Sequence, residues 1–189
     1  MSATWKLLFI GEPGAGKTTC IAAVSDIEPV STDVGCTDEL AQIKETTTVA
    51  LDYGELDLDR DGRLLLYGLP GQSRFRFMFD VVKEGLLGVA VLVDAARADP
   101  LHGLRETLAT YADEFRELPC VLCLNKQEVP ARGLLESCQR LLGEFGLVAP
   151  VLVIDARRRS DVVRIFDMLF LLLEQSSVRI DRQEMVAWH

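Results

Sequence analysis

Apolar and polar positions alternate along the chain in blocks that predict strands and helices in turn. Short apolar runs predict six strands, at residues 5–10, 47–58, 63–67, 87–93, 120–124 and 151–154. Helical periodicity between and after them predicts helices at residues 18–24, 75–84, 101–115, 134–145 and 161–175. A strand–loop–helix rhythm is typical of the α/β class. We therefore expect a six-stranded, mostly parallel sheet flanked by about five helices.

One pair of strands is predicted to be antiparallel. Asp61 and Gly62 separate the runs at 47–58 and 63–67, and Asp-Gly between two such runs is a strong hairpin signal. Composition shifts nowhere sharply enough to indicate a second domain. We expect one domain at residues 1–175, followed at 176–189 by a tail or a short appended element without clear periodicity.

Composition narrows the class of protein. With 20 basic and 29 acidic residues, the net charge is −9, which argues against nucleic-acid backbones and anionic lipid surfaces as partners. No apolar run reaches the ~18–20 residues of a membrane-spanning helix. Five cysteines make a poor disulfide framework, and the N-terminal residues lack a secretory apolar segment. The sequence predicts a cytoplasmic protein without an integral membrane segment.

Part of the acidity is concentrated in one short segment. Its members are Asp52, Glu55, Asp57, Asp59 and Asp61. Such runs usually belong to a solvated strand and turn, and that is the interpretation we favour from sequence.

A glycine-rich motif follows the first predicted strand. Residues 11–18 read Gly-Glu-Pro-Gly-Ala-Gly-Lys-Thr, which matches the phosphate-binding pattern and opens a predicted helix, as that pattern requires. Glycines at 14 and 16 allow successive N–H groups to point at phosphate oxygens. Lys17 would bind the β- and γ-phosphates, and the Thr18 hydroxyl would bind Mg²⁺. We predict nucleotide contacts from Gly11, Gly14, Ala15, Gly16, Lys17, Thr18 and Thr19.

The segment after the predicted strand at 120–124 resembles the guanine-recognition motif of Ras-like small GTPases. Residues 125–128 read Asn-Lys-Gln-Glu, where those proteins have Asn-Lys-x-Asp. The resemblance implies that Asn125 holds the loop and reaches the N7 side of the base, and that the Lys126 stem covers it. Glu128 would accept two hydrogen bonds from guanine. Adenine lacks both donors, so it would leave the carboxylate unpaired.

Residues 154–157 are similar to the last base-contact segment of the same family. Asp155, Ala156 and Arg157 follow the final predicted strand. The resemblance implies that the Ala156 N–H meets guanine O6 and that the Arg157 stem covers the base.

Residues 68–72, Gly-Leu-Pro-Gly-Gln, resemble the Asp-x-x-Gly-Gln motif that senses the γ-phosphate. In that comparison the Gly71 N–H contacts the γ-phosphate and Gln72 orients the attacking water. Gly68 lacks the carboxylate that supports Mg²⁺ in that family, which should weaken metal positioning unless Asp94 or an ordered water substitutes. This departure is similar to the bacterial MglA-like GTPases and, more broadly, to bacterial relatives of the signal-recognition-particle receptor β-subunit. The resemblance spans residues 6–173.

The first switch loop is expected between residues 26 and 48. Thr46, Thr47 and Thr48 each offer a hydroxyl for Mg²⁺, and chain spacing favours Thr48 without excluding its neighbours. Arg74 follows the presumed catalytic glutamine. We favour a partner-facing or ion-pairing role for it over an arginine finger acting in cis.

Together these motifs indicate a small GTP/GDP switch with slow, Mg²⁺-dependent hydrolysis. The resemblance implies effector proteins and a GTPase-activating protein, of the roadblock type in the MglA-like branch, and a role in bacterial signalling, polarity or motility. The alternative is a nucleotide-binding scaffold subunit that hydrolyses little or nothing.

Overall fold

A computed structural model describes residues 4–32, 51–58, 62–127, 129 and 132–186. Within these ranges seven strands form one sheet in the order β2-β3-β4-β1-β5-β6-β7. The strands are β1 (Thr4–Gly11), β2 (Val30–Thr32), β3 (Leu51–Asp57), β4 (Arg63–Pro70), β5 (Leu86–Asp94), β6 (Cys120–Asn125) and β7 (Val151–Ile154). The five strands β4, β1, β5, β6 and β7 run parallel to one another, whereas β3 is antiparallel to both β2 and β4.

Five α-helices lie between the described strands or after the last of them. They are α1 (Lys17–Val24), α2 (Arg76–Val82), α3 (Pro100–Glu117), α4 (Leu134–Glu144) and α5 (Arg159–Val186), and a 3₁₀ turn at Ser73–Phe75 precedes α2. None of the helices in the described ranges is both long and apolar enough to cross a membrane.

Two apolar layers cover the faces of the sheet. Alternate residues of β1 point to opposite faces, so that Leu8 and Ile10 pack with α2, α3 and α4, while Leu7 and Phe9 pack with α1 and α5. All four side chains are almost completely buried. Strands buried on both faces explain why the sequence shows continuous apolar runs rather than alternation.

The predicted α/β class and the mostly parallel sheet are confirmed. All six predicted strands are present, β3 and β4 form the predicted antiparallel pair, and β2 adds a short edge strand that the apolar pattern did not reveal. The last helix continues to Val186, through much of the segment expected to be a tail.

The carboxyl ends of five strands meet at one edge of the sheet. Gly11 lies beside Pro70, Asp94 lies beside Asn125, and Asn125 lies beside Ile154. In open α/β sheets this edge is where ligands bind. The residues singled out from the sequence follow these same strand ends.

Candidate nucleotide-binding site

The phosphate loop joins the end of β1 to the start of α1. Gly14 and Gly16 have φ values of 80° and 108°, in the region where a side chain would be strained. A Cβ on Gly16 would also lie 2.3 Å from the Asn125 Nδ2 atom. Gly16 is therefore needed both for the shape of the loop and for the close approach of β6.

Lys17 closes the loop on itself. Its ammonium donates hydrogen bonds to the carbonyl oxygens of Gly11 (3.0 Å) and Glu12 (2.9 Å). Burial lowers the pKa of Lys17, while the carboxylates of Asp52 and Glu12 act in the opposite direction. A partly desolvated cation is thus held at the mouth of the loop, where a polyphosphate would be stabilised strongly.

Asn125 fastens three loops together. Its Nδ2 donates to the Ala15 carbonyl at 2.9 Å, and its Oδ1 accepts from the Ala156 N–H at 3.0 Å. The side chain is buried, with 3% of Asn125 exposed. The phosphate loop, the end of β6 and the turn after β7 are therefore held in one arrangement. In this structure the Ala156 amide donates to Asn125 rather than outward toward a base.

Lys126 begins the loop after β6 in an unusual backbone conformation. Among the described residues other than glycine it alone has a positive φ, of 73°. Its ammonium pairs with the Asp94 Oδ2 at 2.6 Å, and the Asp94 Oδ1 accepts from the Ala96 N–H at 3.1 Å. Asp94 thus pairs with the base loop, which is the segment at 125–128 that the sequence predicts to contact the base. Whether Asp94 also replaces the carboxylate missing at Gly68 stays a prediction.

The turn after β7 is organised by Asp155. Its carboxylate accepts from the Arg157 Nε (2.9 Å) and Nη2 (2.7 Å), and from the Arg157 backbone N–H (3.0 Å). These bonds from Arg157 hold the pKa of Asp155 well below its usual value. The paired contact fixes the arginine stem beside the opening of the cavity.

A cavity of about 790 Å³ opens between these loops. Its lining combines the phosphate loop, the base loop and the turn after β7, and includes Gly14, Gly16, Thr19, Asn125, Lys126, Gln127, Ala156 and Arg157. This volume is in the range of cavities that enclose small molecules and cofactors. Residues predicted to contact phosphate and residues predicted to contact the base therefore line one continuous space.

The two residues predicted to act on the γ-phosphate stand at the end of β4. The Gly71 N–H donates to the Gly11 carbonyl at 3.0 Å, and a Cβ on Gly71 would lie 2.1 Å from the Thr107 Oγ1 of α3. The Gln72 Oε1 is buried and has no hydrogen-bond partner among the described residues. A buried acceptor without a partner is costly, and an ordered water is its natural partner.

The two arginines after Gln72 contact their own segment and α3. The guanidinium of Arg74 lies 4.6 Å from the centroid of the Phe75 ring. Arg76 donates to the Thr110 carbonyl at 2.6 Å and pairs with Glu114, both on α3. The role of Arg74, whether partner-facing, ion-pairing or an arginine finger, stays a prediction.

The family comparison agrees with the fold and with the cavity. A family model described as "Conserved hypothetical ATP binding protein" matches residues 33–169. The match covers more than two thirds of the 189 residues. The chain belongs to this family. The matched segment of this nucleotide-binding family begins after the phosphate loop, so the motif at 11–18 is an independent indication of the same ligand class.

A curated relative comes from an archaeon. The chain is 29% identical over 125 residues to an uncharacterized protein of Methanocaldococcus jannaschii, which covers 66% of this chain and 71% of that protein. The name of that protein assigns it no activity.

Asp52 is a residue of the site that the sequence did not reveal. The Thr18 hydroxyl donates to the Asp52 Oδ2 at 2.6 Å, and Asp52 pairs with Gly68 in the β3–β4 register. A Cβ on Gly68 would lie 2.9 Å from the Asp52 Cβ, so the carboxylate fills the space that a side chain at 68 would need. Only 8% of Asp52 is exposed. The interpretation of the acidic run as wholly solvated is wrong for this member.

The chemistry of this pair fits a magnesium ion. A threonine hydroxyl and a carboxylate are the oxygen ligands that Mg²⁺ prefers, and this ion usually completes its coordination with water and phosphate oxygens. Among the described residues, no cluster of three or more histidine, cysteine or acidic side chains forms a closed metal cage. An open site shared with a phosphorylated ligand matches that arrangement.

Two predicted contributors lie outside the described residues. They are Glu128 in the base loop and Thr48, with its neighbours Thr46 and Thr47, in the first switch loop. Their roles stay predictions.

Proposed function

We propose that this protein binds GTP and GDP together with Mg²⁺ and acts as a molecular switch with slow GTP hydrolysis. The observation that carries the proposal is the Asn125 clamp, which joins the phosphate loop to the turn after β7 beside a nucleotide-sized cavity. This is the place where the resemblance to Ras-like GTPases puts the guanine-recognition loop. In the proposal, Asn125 and Lys126 position the base, and Glu128 pairs with guanine N1–H and N2–H₂.

The hydrolytic step is water attack on the γ-phosphorus. Lys17 and the loop amides stabilise negative charge on the transferred phosphoryl group. Gln72 places the water, and this role is supported by its buried Oε1, which has no hydrogen-bond partner in the described part of the chain. Thr18 and Asp52 would hold Mg²⁺, which supplies further charge neutralisation when it is bound.

The switching element in the proposal is Gly71. Its N–H donates to the Gly11 carbonyl in this structure. To contact a γ-phosphate, the amide must leave that carbonyl, so GTP and GDP would favour two arrangements of the segment that follows β4. Phe77, with 38% of its surface exposed, lies on that segment and would offer partners an apolar contact.

The kinship we propose is with the bacterial MglA-like GTPases. Gly68 followed by Pro70, Gly71 and Gln72 supports it. Slow intrinsic turnover then calls for a GTPase-activating partner, of the roadblock type by kinship, and for an effector that distinguishes the two arrangements.

A second candidate is a nucleotide-binding scaffold with little hydrolysis. Gly68 favours it, because this position lacks a carboxylate for the metal. In the described part of the proposed metal site, the one carboxylate is that of Asp52 on the neighbouring strand β3. Single-turnover measurements decide between the two. Tight GTP binding without cleavage, even with an activating partner, would favour the scaffold.

Replacing Glu128 tests the base assignment. Glu128→Ala removes the acceptor for both guanine donors, so we expect affinity for GDP to fall by about 100-fold with little change for ADP. Competition against a fluorescent nucleotide measures both. Glu136→Ala, an exposed acid on α4, is the matched control. An unaltered ratio of guanine to adenine affinity would remove Glu128 from base recognition.

Replacing Gln72 tests the placement of water. Gln72→Leu keeps the approximate size but removes the amide, so we expect single-turnover hydrolysis to slow by about 100-fold with GTP affinity nearly unchanged. Hydrolysis at the wild-type rate would assign the positioning of water to another group.

A further inference from the structure

The loop after β5 carries an arginine that no motif predicted. Asp94 ends β5 and caps a tight turn, in which its Oδ1 accepts from the Ala96 N–H at 3.1 Å and its carbonyl accepts from the Arg97 N–H at 3.3 Å. The Ala95 N–H donates to the Asn125 carbonyl at 3.0 Å. These bonds fix the direction in which the Arg97 side chain leaves the turn, which is toward the phosphate loop.

Arg97 contacts two successive residues of the phosphate loop. Its Nη1 pairs with the Glu12 Oε2 at 2.9 Å, and its Nη2 donates to the Pro13 carbonyl at 3.1 Å. The Glu12 side chain is only 15% exposed. It is confined by α3, since a Cβ on Gly103 would lie 1.9 Å from the Glu12 Cδ. The phosphate loop therefore contains a confined carboxylate, that of Glu12, which is paired with Arg97.

An unpaired carboxylate at this position would repel the phosphates of a bound nucleotide. The Lys17 ammonium donates to the Glu12 carbonyl at 2.9 Å, so Glu12 belongs to the part of the loop that would surround the phosphate. A buried negative charge beside a polyphosphate is repulsive unless it is paired. Arg97 supplies the pairing charge.

The same arginine also approaches the base loop. Its Nε lies 3.9 Å from the Asp94 Oδ2, the oxygen that also holds the Lys126 ammonium at 2.6 Å. A series of four charges therefore runs from the phosphate loop to the base loop, namely Glu12, Arg97, Asp94 and Lys126. Networks of this kind hold geometry better than isolated surface pairs.

We propose that Arg97 is a positioning residue that neutralises Glu12 and ties the phosphate loop to the base loop, and so sets the lifetime of the bound nucleotide. The inference rests on the proposed nucleotide site. Arg97 is distinct from an arginine finger, because its guanidinium pairs with Glu12 and donates to the Pro13 carbonyl. Its effect should fall on the release of nucleotide and not on the cleavage step.

The experiment measures the dissociation rate of a fluorescent GDP analogue and, separately, single-turnover hydrolysis at saturating GTP. In Arg97→Ala we expect release to accelerate by about three- to tenfold, a modest effect because the arginine is 45% exposed, with hydrolysis unchanged. Arg97→Lys should restore part of the lifetime. Arg105→Ala, an exposed arginine of α3 that pairs with Glu144, is the matched control and should release nucleotide at the wild-type rate.

A double-mutant comparison isolates the role of charge. In a Glu12→Gln background the confined charge is gone, so removal of Arg97 should accelerate release less than it does in the wild type. Equal acceleration in both backgrounds would contradict neutralisation of Glu12. Unchanged release in Arg97→Ala, or slowed hydrolysis with unchanged release, would overturn the proposal while leaving the nucleotide site intact. Failure of the wild-type protein to bind any nucleotide would overturn both.

Discussion

Lys17→Ala should abolish tight nucleotide binding, with a loss of at least about 100-fold in affinity. The ammonium makes charged hydrogen bonds at the mouth of the phosphate loop, each worth about 1.5–3 kcal/mol when donated to a ligand in a partly desolvated site. The substitution also leaves the carbonyls of Gly11 and Glu12 without this donor. Isothermal titration with GDP and Mg²⁺ measures the loss.

The control for this prediction is a lysine outside the cavity. Lys83→Ala removes an exposed ammonium of the α2–β5 connection that pairs with Asp80, and it should bind nucleotide as the wild type does. Similar affinities for Lys17→Ala and the wild type would refute the assignment of residues 11–18 as the phosphate loop.

Asp52→Asn should lower the affinity for magnesium and so raise the Mg²⁺ concentration that hydrolysis requires. The amide can keep a hydrogen bond with the Thr18 hydroxyl, so the fold should survive, but the negative charge that attracts the cation is lost. We expect hydrolysis to slow by about 100-fold at limiting Mg²⁺ and to recover partly as the concentration is raised. A magnesium titration of single-turnover hydrolysis measures both effects.

Asp57→Asn provides the comparison on the same strand, because Asp57 is exposed at the far end of β3. It should show the wild-type magnesium requirement. If Asp52→Asn also shows the wild-type requirement, the cation is held without Asp52. The proposal that Asp52 supplies the carboxylate missing at Gly68 would then be wrong.

Most of the fold could be predicted from the sequence, because the patterns that indicate its strands and turns are local. Apolar runs of the length of a strand, an Asp-Gly turn and a glycine loop between strand and helix each depend on neighbouring residues. The short strand β2 (Val30–Thr32) was missed, since three residues carry too little pattern. The end of α5 was missed because residues 176–186 continue the helix without a clear apolar face in sequence.

The candidate site could be predicted only in part, because its decisive contacts join segments that are distant in the sequence. Motifs identify Asn125 and Lys17, whereas the sequence shows Asp52 only as part of an acidic run that is typical of a solvated strand and turn. Its pairing with Gly68 follows from the hairpin register, in which Asp57 faces Arg63 and each step inward pairs one residue from each strand. Counting from the turn would have placed Asp52 beside Gly68. By contrast, no local signal connects Arg97 with Glu12, which meet only through tertiary packing.

The most direct test of the central claim is the nucleotide preference of the wild-type protein. Purified protein with Mg²⁺ would be loaded with a fluorescent GDP analogue and challenged with GTP, GDP, ATP and ADP in turn. The account predicts displacement by GTP and GDP at concentrations at least about 100-fold lower than those of ATP and ADP. Equal displacement by adenine and guanine nucleotides, or a preference for ATP, would contradict it.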